Sequence, residues 1–249
     1  RAPRGGEGPW VTFARMNTLR TPKHLIGPDM GVPSLTPRAW YEASFGREAW
    51  DALTRFPREV WMAYLDWYRE VLALPVRNET TVEGIEGVRH DGRWLLRVTM
   101  RGPRGTEVVH ARRVVLATGM DGSGRWETPA FIRDAIPPHL RAHTADSVDF
   151  TRLAGKRVGV LGAGASAFDN AATALENGAA RVDLFFRRSR LPTVNPNRWM
   201  EKAGVLAHWG DMDDLMRWRF LRHFFVVNQP PPQDTFERCT MHANFALHA

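Results

Sequence analysis

The run KRVGVLGAGASAFD at residues 156–169 constrains the fold more than any other part of the chain. Arg157 to Leu161 is an apolar segment of strand length, and Ala167 to Asn177 (AFDNAATALEN) has the small, helix-favouring composition of a first crossover helix, which Gly178 can end. Val182 to Phe186 (VDLFF) supplies a second buried strand. Together these segments close a βαβ unit of about thirty residues around a GxGxxA turn, the pattern of a dinucleotide-binding turn. The expected fold class is therefore α/β, with a Rossmann-type domain. Gly162 can take the backbone of a tight turn, Gly164 lets the main chain approach a pyrophosphate, and Ala167 is small enough for the helix to pack on the strand. The unpaired N–H groups and positive dipole end of the helix make an anion site, to which the Ser166 hydroxyl adds a donor.

The end of the second strand selects the nucleotide. NAD-binding units place an acid there to accept from the ribose 2′-OH, whereas here Phe186 is followed by Arg187, Arg188 and Arg190. Asp183 lies too early in the strand to reach the ribose. A 2′-phosphate, and so NADPH, is the expected occupant. A charge-assisted contact contributes about 1.5–3 kcal/mol, enough to favour NADPH over NADH roughly ten- to a hundredfold. The competing reading is background arginine, since Lys23, Lys156 and Lys202 are the only lysines among 34 basic residues.

Composition narrows the class. With 249 residues, 43% of them hydrophobic, and ten tryptophans, the chain can build one large or two modest cores. The formal net charge of +7 is spread among acids without a basic block, which suits phosphate-bearing cofactors better than nucleic acid. A single cysteine, Cys239, excludes an intrachain disulfide framework and a CxxC redox pair. A cytoplasmic setting is expected, with no membrane span, because the apolar run from Val158 is cut by Asp169. The chain begins at Arg1 without an initiator methionine and reads as a fragment.

Upstream of the glycine turn the pattern changes twice. Met16 to Pro37 carries four prolines and two glycines and reads as an ordered loop. Pro57 opens a helix through Leu72, with Val60, Trp61, Tyr64, Leu65, Tyr68, Val71 and Leu72 on one stripe that reads as core. From Glu79, the segments ETTVEGI, GRWLLRVTM and TEVVHARRVVLATG read as strands separated by turns at Asp91-Gly92 and Gly102-Pro103. The last is expected to end at Ala117-Thr118-Gly119, at a strand C-terminus where open α/β sheets place ligands. Met120 to His143 reads as an irregular crossing into a separate dinucleotide domain.

The order of these motifs carries a resemblance. VVLATG at 114–119, the crossing with Pro129, HTADSVDFTRLAGKRVGVLGAGASAFDNA from His143 and then VDLFFRRS resemble the flavin-containing monooxygenase group of two-dinucleotide flavoproteins. That group includes amine and sulfide oxygenases, N-hydroxylating lysine and ornithine monooxygenases, and Baeyer–Villiger enzymes. The resemblance covers about Arg15 to the mid-190s. It implies a partial FAD-binding domain with a β-meander over 1–147 and an NADPH-binding Rossmann-type domain with a helical extension over 148–249. Gly162, Gly164, Ser166 and Ala167 would hold the NADPH pyrophosphate. Arg187, with Arg188 beside it, would meet the 2′-phosphate. Thr118 and Gly119 would sit at the flavin–nicotinamide junction, Thr81 and Val82 against the FAD adenine, and the loop Asn17 to Lys23 on the flavin side.

Two departures shape that reading. The glycine turn that such proteins use for FAD has no match here, and neither does the Baeyer–Villiger fingerprint FxGxxxHxxxW, because no FxG precedes His143 and Val148 takes the Trp position. The implied chemistry is oxygen insertion into a nitrogen- or sulfur-containing small molecule, with NADPH as reductant, FAD as carrier and O₂ as co-substrate. Asp169 and His143 are the obvious polar residues, and both read more readily as structural. No catalytic side chain and no metal ligand is assigned. Open alternatives are a flavin-dependent NADPH reductase without oxygen insertion, a non-catalytic NADP(H)-binding module, and a nucleic-acid-binding helix using Trp218, Arg219 and Arg222. The last segment, MRWRFLRHFF, is expected to be a packed amphipathic helix.

Overall fold

The structure is a computed structural model, which describes residues 8–25, 27–119, 124, 126–193, 208–226 and 231–249. Residues 1–7, 26, part of the crossing (120–123 and 125), 194–207 and 227–230 lie outside the described residues.

An aromatic core organises the first seventy residues. α1 (Pro37–Phe45), α2 (Arg47–Ala52) and α3 (Arg58–Val71) enclose Trp50, Phe56, Trp61, Tyr64 and Tyr68, with Leu19 and Leu35 brought in by the preceding loop. Pro57 stands immediately before α3, where its fixed φ suits a helix entry. The rings meet edge to face where space allows, as in Tyr41 on Phe56 at 5.5 Å and 86°. The Tyr64 hydroxyl, fully buried, donates to the Leu35 carbonyl at 2.8 Å and also lies against that of Pro28. Two details of the expected stripe differ. Val71 is exposed at the end of the helix, although Tyr68 in the same turn is buried and Leu72 packs against the core, and Met62 near the start is buried as well.

The meander forms as expected: β1 (Thr81–His90), β2 (Arg93–Gly102) and β3 (Gly105–Ala111) pair antiparallel in the order β1-β2-β3. Asp91 and Gly92 both take positive φ between His90 and Arg93, the two-residue hairpin whose twist matches that of the strands. The expectation of a strand running on to Gly119 is corrected. β3 ends at Ala111, and Val114 to Thr118 pair with no strand among the described residues. An apolar strand needs a neighbour to take its backbone hydrogen bonds. Val115 is 85% and Leu116 73% exposed, so these residues have neither neighbour nor cover here. The crossing also holds a short helix, α4 (Ala130–Ala135), where irregular chain was expected.

The third unit is the βαβ unit. β4 (Arg157–Leu161) and β5 (Arg181–Phe185) are parallel and in register, with α5 (Ala165–Glu176) as the crossover. Gly178, at φ 83°, closes the helix in the left-handed region. The small residues Ala171, Ala172 and Ala174 let α5 lie close on the sheet, so Phe168 and Leu175 pack with Val182 and Leu184. The C-terminal chain returns to this unit. After α6 (Asp214–Val226), α7 (Gln233–Thr240) packs on α5, and β6 (Phe245–His248) pairs parallel with β5. The helix over MRWRFLRHFF forms, and among its described side chains Met216 and Trp218, with Leu215 before them, are exposed, whereas Phe220 is half-buried against Trp209. Alternating Arg and apolar residues give it no clean apolar face to bury.

Candidate dinucleotide site

The site grows out of the end of β4. Gly162 stands at φ 139°, outside the range of L-residues, and its N–H donates to the Phe185 carbonyl at 2.9 Å, tying the turn to the end of β5. A Cβ at Gly162 would lie 3.3 Å from the Cβ of Ala167, so the two positions are small for one reason: turn and helix touch. Gly164 differs. It caps α5 at φ −86° and ψ 172°, and a Cβ there would meet nothing within 4 Å. The first bonds of α5 run from the Ala167 and Phe168 N–H groups to the Gly164 carbonyl, which leaves the Ala165 and Ser166 N–H groups at the positive end of the helix dipole beside that open space.

A cavity of about 1400 Å³ opens in front of this turn. Leu161 to Ala165 form one wall, and Phe185 to Arg188 continue it from the end of β5. The start of α7, from Pro231 to Asp234, and Glu237 form another side. Opposite lie Thr18, Arg20, Thr54 and Arg55 from the N-terminal unit. Arg20, Arg55, Arg187 and Arg188 line it together with Asp234 and Glu237, and since Arg20 already pairs with Asp234 at 3.2 Å, the lining keeps a positive excess that favours an anionic occupant. Gly162, Gly164, Arg187 and Arg188 are thus brought together. Ser166 is exposed beside the turn, and Ala167 lies beneath it, half-buried. Val82, Thr118 and Gly119 are exposed and stand on none of these walls.

The two polar residues singled out from sequence have structural partners. The His143 ring lies 4.9 Å from that of Trp126, and its Nδ1 accepts from the Ala145 N–H. Asp169, buried on α5, accepts from Arg20 Nη2 at 2.6 and 2.8 Å and from the Thr235 hydroxyl at 2.9 Å. Arg20, Thr235 and Asp234 were not singled out from sequence. Their partners lie far along the chain, and the one signal was the expectation that the loop Asn17 to Lys23, which contains Arg20, lies on the flavin side.

Asp183, the acid nearest the nucleotide-selecting position, is engaged elsewhere. Arg181 hydrogen bonds, and then His248 Nε2 at 2.7 Å, hold its carboxyl well below the ordinary carboxylate range. Burial pushes the Cys239 thiol up to about 12, and its Sγ donates to the Phe168 carbonyl, so it packs as a small apolar group and is no thiolate at neutral pH.

Comparison with known proteins places this geometry. The family model described as L-lysine 6-monooxygenase/L-ornithine 5-monooxygenase matches residues 51–203. A curated FAD-dependent urate hydroxylase from Xanthomonas campestris is 51% identical over 246 residues, covering 99% of this chain and 51% of that protein. Among solved structures, the FAD-bound cadaverine monooxygenase of desferrioxamine biosynthesis from Erwinia amylovora aligns with TM-score 0.67 at 14% identity, over 95% of this chain and 58% of its own. An ornithine N-hydroxylase from Kutzneria sp. 744, with reduced FAD, NADP⁺ and L-ornithine, aligns with TM-score 0.61 at 16% identity, over 96% and 59%. At these identities the structures establish the α/β fold alone. The chain spans about half the length of the curated relative it matches.

Proposed function

We propose a function from one premise: the chain belongs to the L-lysine 6-monooxygenase/L-ornithine 5-monooxygenase family, whose model matches more than half of it. On that premise it is the NADPH-binding part, with a portion of the FAD-binding part, of a flavin-dependent monooxygenase that oxygenates a nitrogen-containing small molecule. The observation that carries this reading is that one cavity is lined by the glycine turn, Arg187 and Arg188 together with Thr18 and Arg20.

The residues fit NADPH. The open space at Gly164 admits a pyrophosphate against the start of α5, which Gly162 and Ala167 hold against β5 and Ser166 flanks. Arg187 and Arg188 stand at the strand end where the 2′-phosphate is read, and the nearest acid, Asp183, is occupied by Arg181 and His248. FAD, when bound, supplies the redox step, taking two electrons from NADPH and delivering them to O₂, one atom of which enters the substrate and the other leaves as water. Thr118, Gly119 and Val82 are assigned to the flavin side, outside the NADPH cavity. The division at residues 147 and 148, a cytoplasmic setting suited to the buried free thiol, and binding of a small molecule without nucleic acid or membrane belong to the same reading.

Urate, the substrate named for the relative at 51% identity, is the first compound to try, followed by L-ornithine and L-lysine. The test is NADPH oxidation by the FAD-loaded full-length protein, with product and peroxide measured together. Oxygenated product in step with NADPH use supports the monooxygenase. NADPH consumption that yields only peroxide for every substrate turns the reading to a reductase, and tight NADPH binding without oxidation turns it to a binding module.

A further inference from the structure

Arg20 joins the two walls of the cavity. Its backbone belongs to the aromatic unit: the Leu19 N–H donates to the Phe56 carbonyl at 2.8 Å, the Arg58 N–H to the Asn17 carbonyl at 3.1 Å, and Leu19 is buried among the rings. Arg55 donates to the Arg20 carbonyl itself. The side chain leaves that unit and enters the other. Nη2 reaches both oxygens of Asp169 and the Thr235 hydroxyl at 2.9 Å, and Nη1 reaches Asp234 at 3.2 Å. The Thr235 hydroxyl donates in turn to Asp169, closing a triangle of hydrogen bonds around a carboxylate that is 8% exposed.

The place of this triangle matters. Asp169 lies on α5 one turn beyond the residues that face the cavity, and Asp234 and Thr235 lie in the first turn of α7, whose start is another wall. One guanidinium therefore fixes the N-terminal loop, the helix behind the glycine turn and the C-terminal helix relative to one another. A planar fork with several donors can hold three acceptors in fixed directions, which a lysine ammonium on its flexible stem cannot.

We propose that Arg20 is a positioning residue for hydride transfer, holding the Thr18–Arg20 wall at a set distance and angle from the dinucleotide turn. This rests on the monooxygenase reading above, in which the turn seats NADPH and the loop faces the flavin. In the step concerned, the dihydronicotinamide gives up a hydride with both electrons and becomes NADP⁺, and the flavin is reduced, taking its further proton from water. Such a transfer is steep in distance, since a misplacement of about 1 Å costs on the order of a hundredfold in rate.

The test is anaerobic flavin reduction in the FAD-loaded full-length protein, followed by stopped-flow absorbance over a range of NADPH concentrations, for Arg20→Ala and Arg20→Lys. The expected result is a limiting reduction rate at least roughly tenfold below wild type for Arg20→Ala, and several-fold for Arg20→Lys, with the Kd for NADPH changed less than about threefold. Reduction by dithionite, which needs no alignment, stays at the wild-type rate. A wild-type limiting rate in a folded Arg20→Lys protein overturns the proposal. So does a loss that appears only in Kd, which makes Arg20 a binding residue, or equal slowing with dithionite, which makes it a general flavin effect. If both variants lose FAD, Thr235→Val removes one edge of the triangle without stranding a charge, and an unchanged limiting rate there overturns the proposal too. Failure of the wild-type protein to be reduced by NADPH sinks the monooxygenase reading itself, a distinct outcome.

Discussion

Two glycines two residues apart should respond to the same substitution in opposite ways. Gly162→Ala places a side chain at φ 139° and a Cβ 3.3 Å from that of Ala167, so turn and helix must move apart. Backbone strain of this kind costs about 1–3 kcal/mol, and the cost falls on folding. Gly164→Ala meets no atom within 4 Å, and its φ of −86° and ψ of 172° are ordinary for alanine. Loss of unfolded-chain entropy stabilises such a change by about 0.4–1 kcal/mol, and the poorer helix cap offsets a similar amount. Stability should therefore stay within about 1 kcal/mol of wild type. The new methyl instead enters the space assigned to the pyrophosphate, and displacing one charge-assisted N–H contact costs about 1.5–3 kcal/mol, a roughly ten- to hundredfold rise in the NADPH Kd. Urea unfolding and NADPH titration, run on both variants, separate the two effects. If Gly164→Ala binds NADPH within twofold of wild type, the open space is not the phosphate seat. If it unfolds as readily as Gly162→Ala, the geometric distinction between the two glycines is wrong.

Arg187→Ala should weaken NADPH roughly ten- to a hundredfold and leave NADH nearly unchanged, and equal losses in paired titrations would remove Arg187 from the 2′-phosphate. Because the Asp183 carboxyl is held below its unfolded pKa, its contribution is present above the ordinary carboxylate range and is lost as pH falls through that range toward the lower folded value. Thermal melts at descending acid pH should therefore fall less steeply for Asp183→Asn, and parallel curves would show that the bonds to Arg181 and His248 add nothing. Phe168→Ala empties a fully buried position between α5, α7 and β6 and should cost about 3–5 kcal/mol in urea unfolding. The Cys239 thiol, pushed up to about 12 and buried, should react with iodoacetamide at neutral pH only once urea unfolds the chain, whereas prompt labelling of the native protein would contradict its burial.

Elements whose cause is local follow from the order of residues alone. A glycine that must turn at positive φ, a small residue beneath it, a run of alanines at helical spacing and a strand on either side specify the βαβ unit from β4 to β5 without reference to the rest of the molecule. The Asp91-Gly92 hairpin and the aromatic stripe of α3 are equally local, since each follows from φ preference or from a 3.6-residue period. Tertiary structure decided what depends on a distant neighbour. Val114 to Thr118 have strand composition yet pair with no strand among the described residues, because a ladder needs a second chain segment. β6 was not foreseen: Phe245–His248 is short and unremarkable in sequence and becomes a strand because β5 offers a free edge. The triangle of Arg20, Asp169 and Thr235 joins residues 149 and 66 positions apart. No period or spacing encodes such a contact, because it exists only where folding brings a loop, a crossover helix and a returning helix to one point and the carboxylate they bury needs a partner.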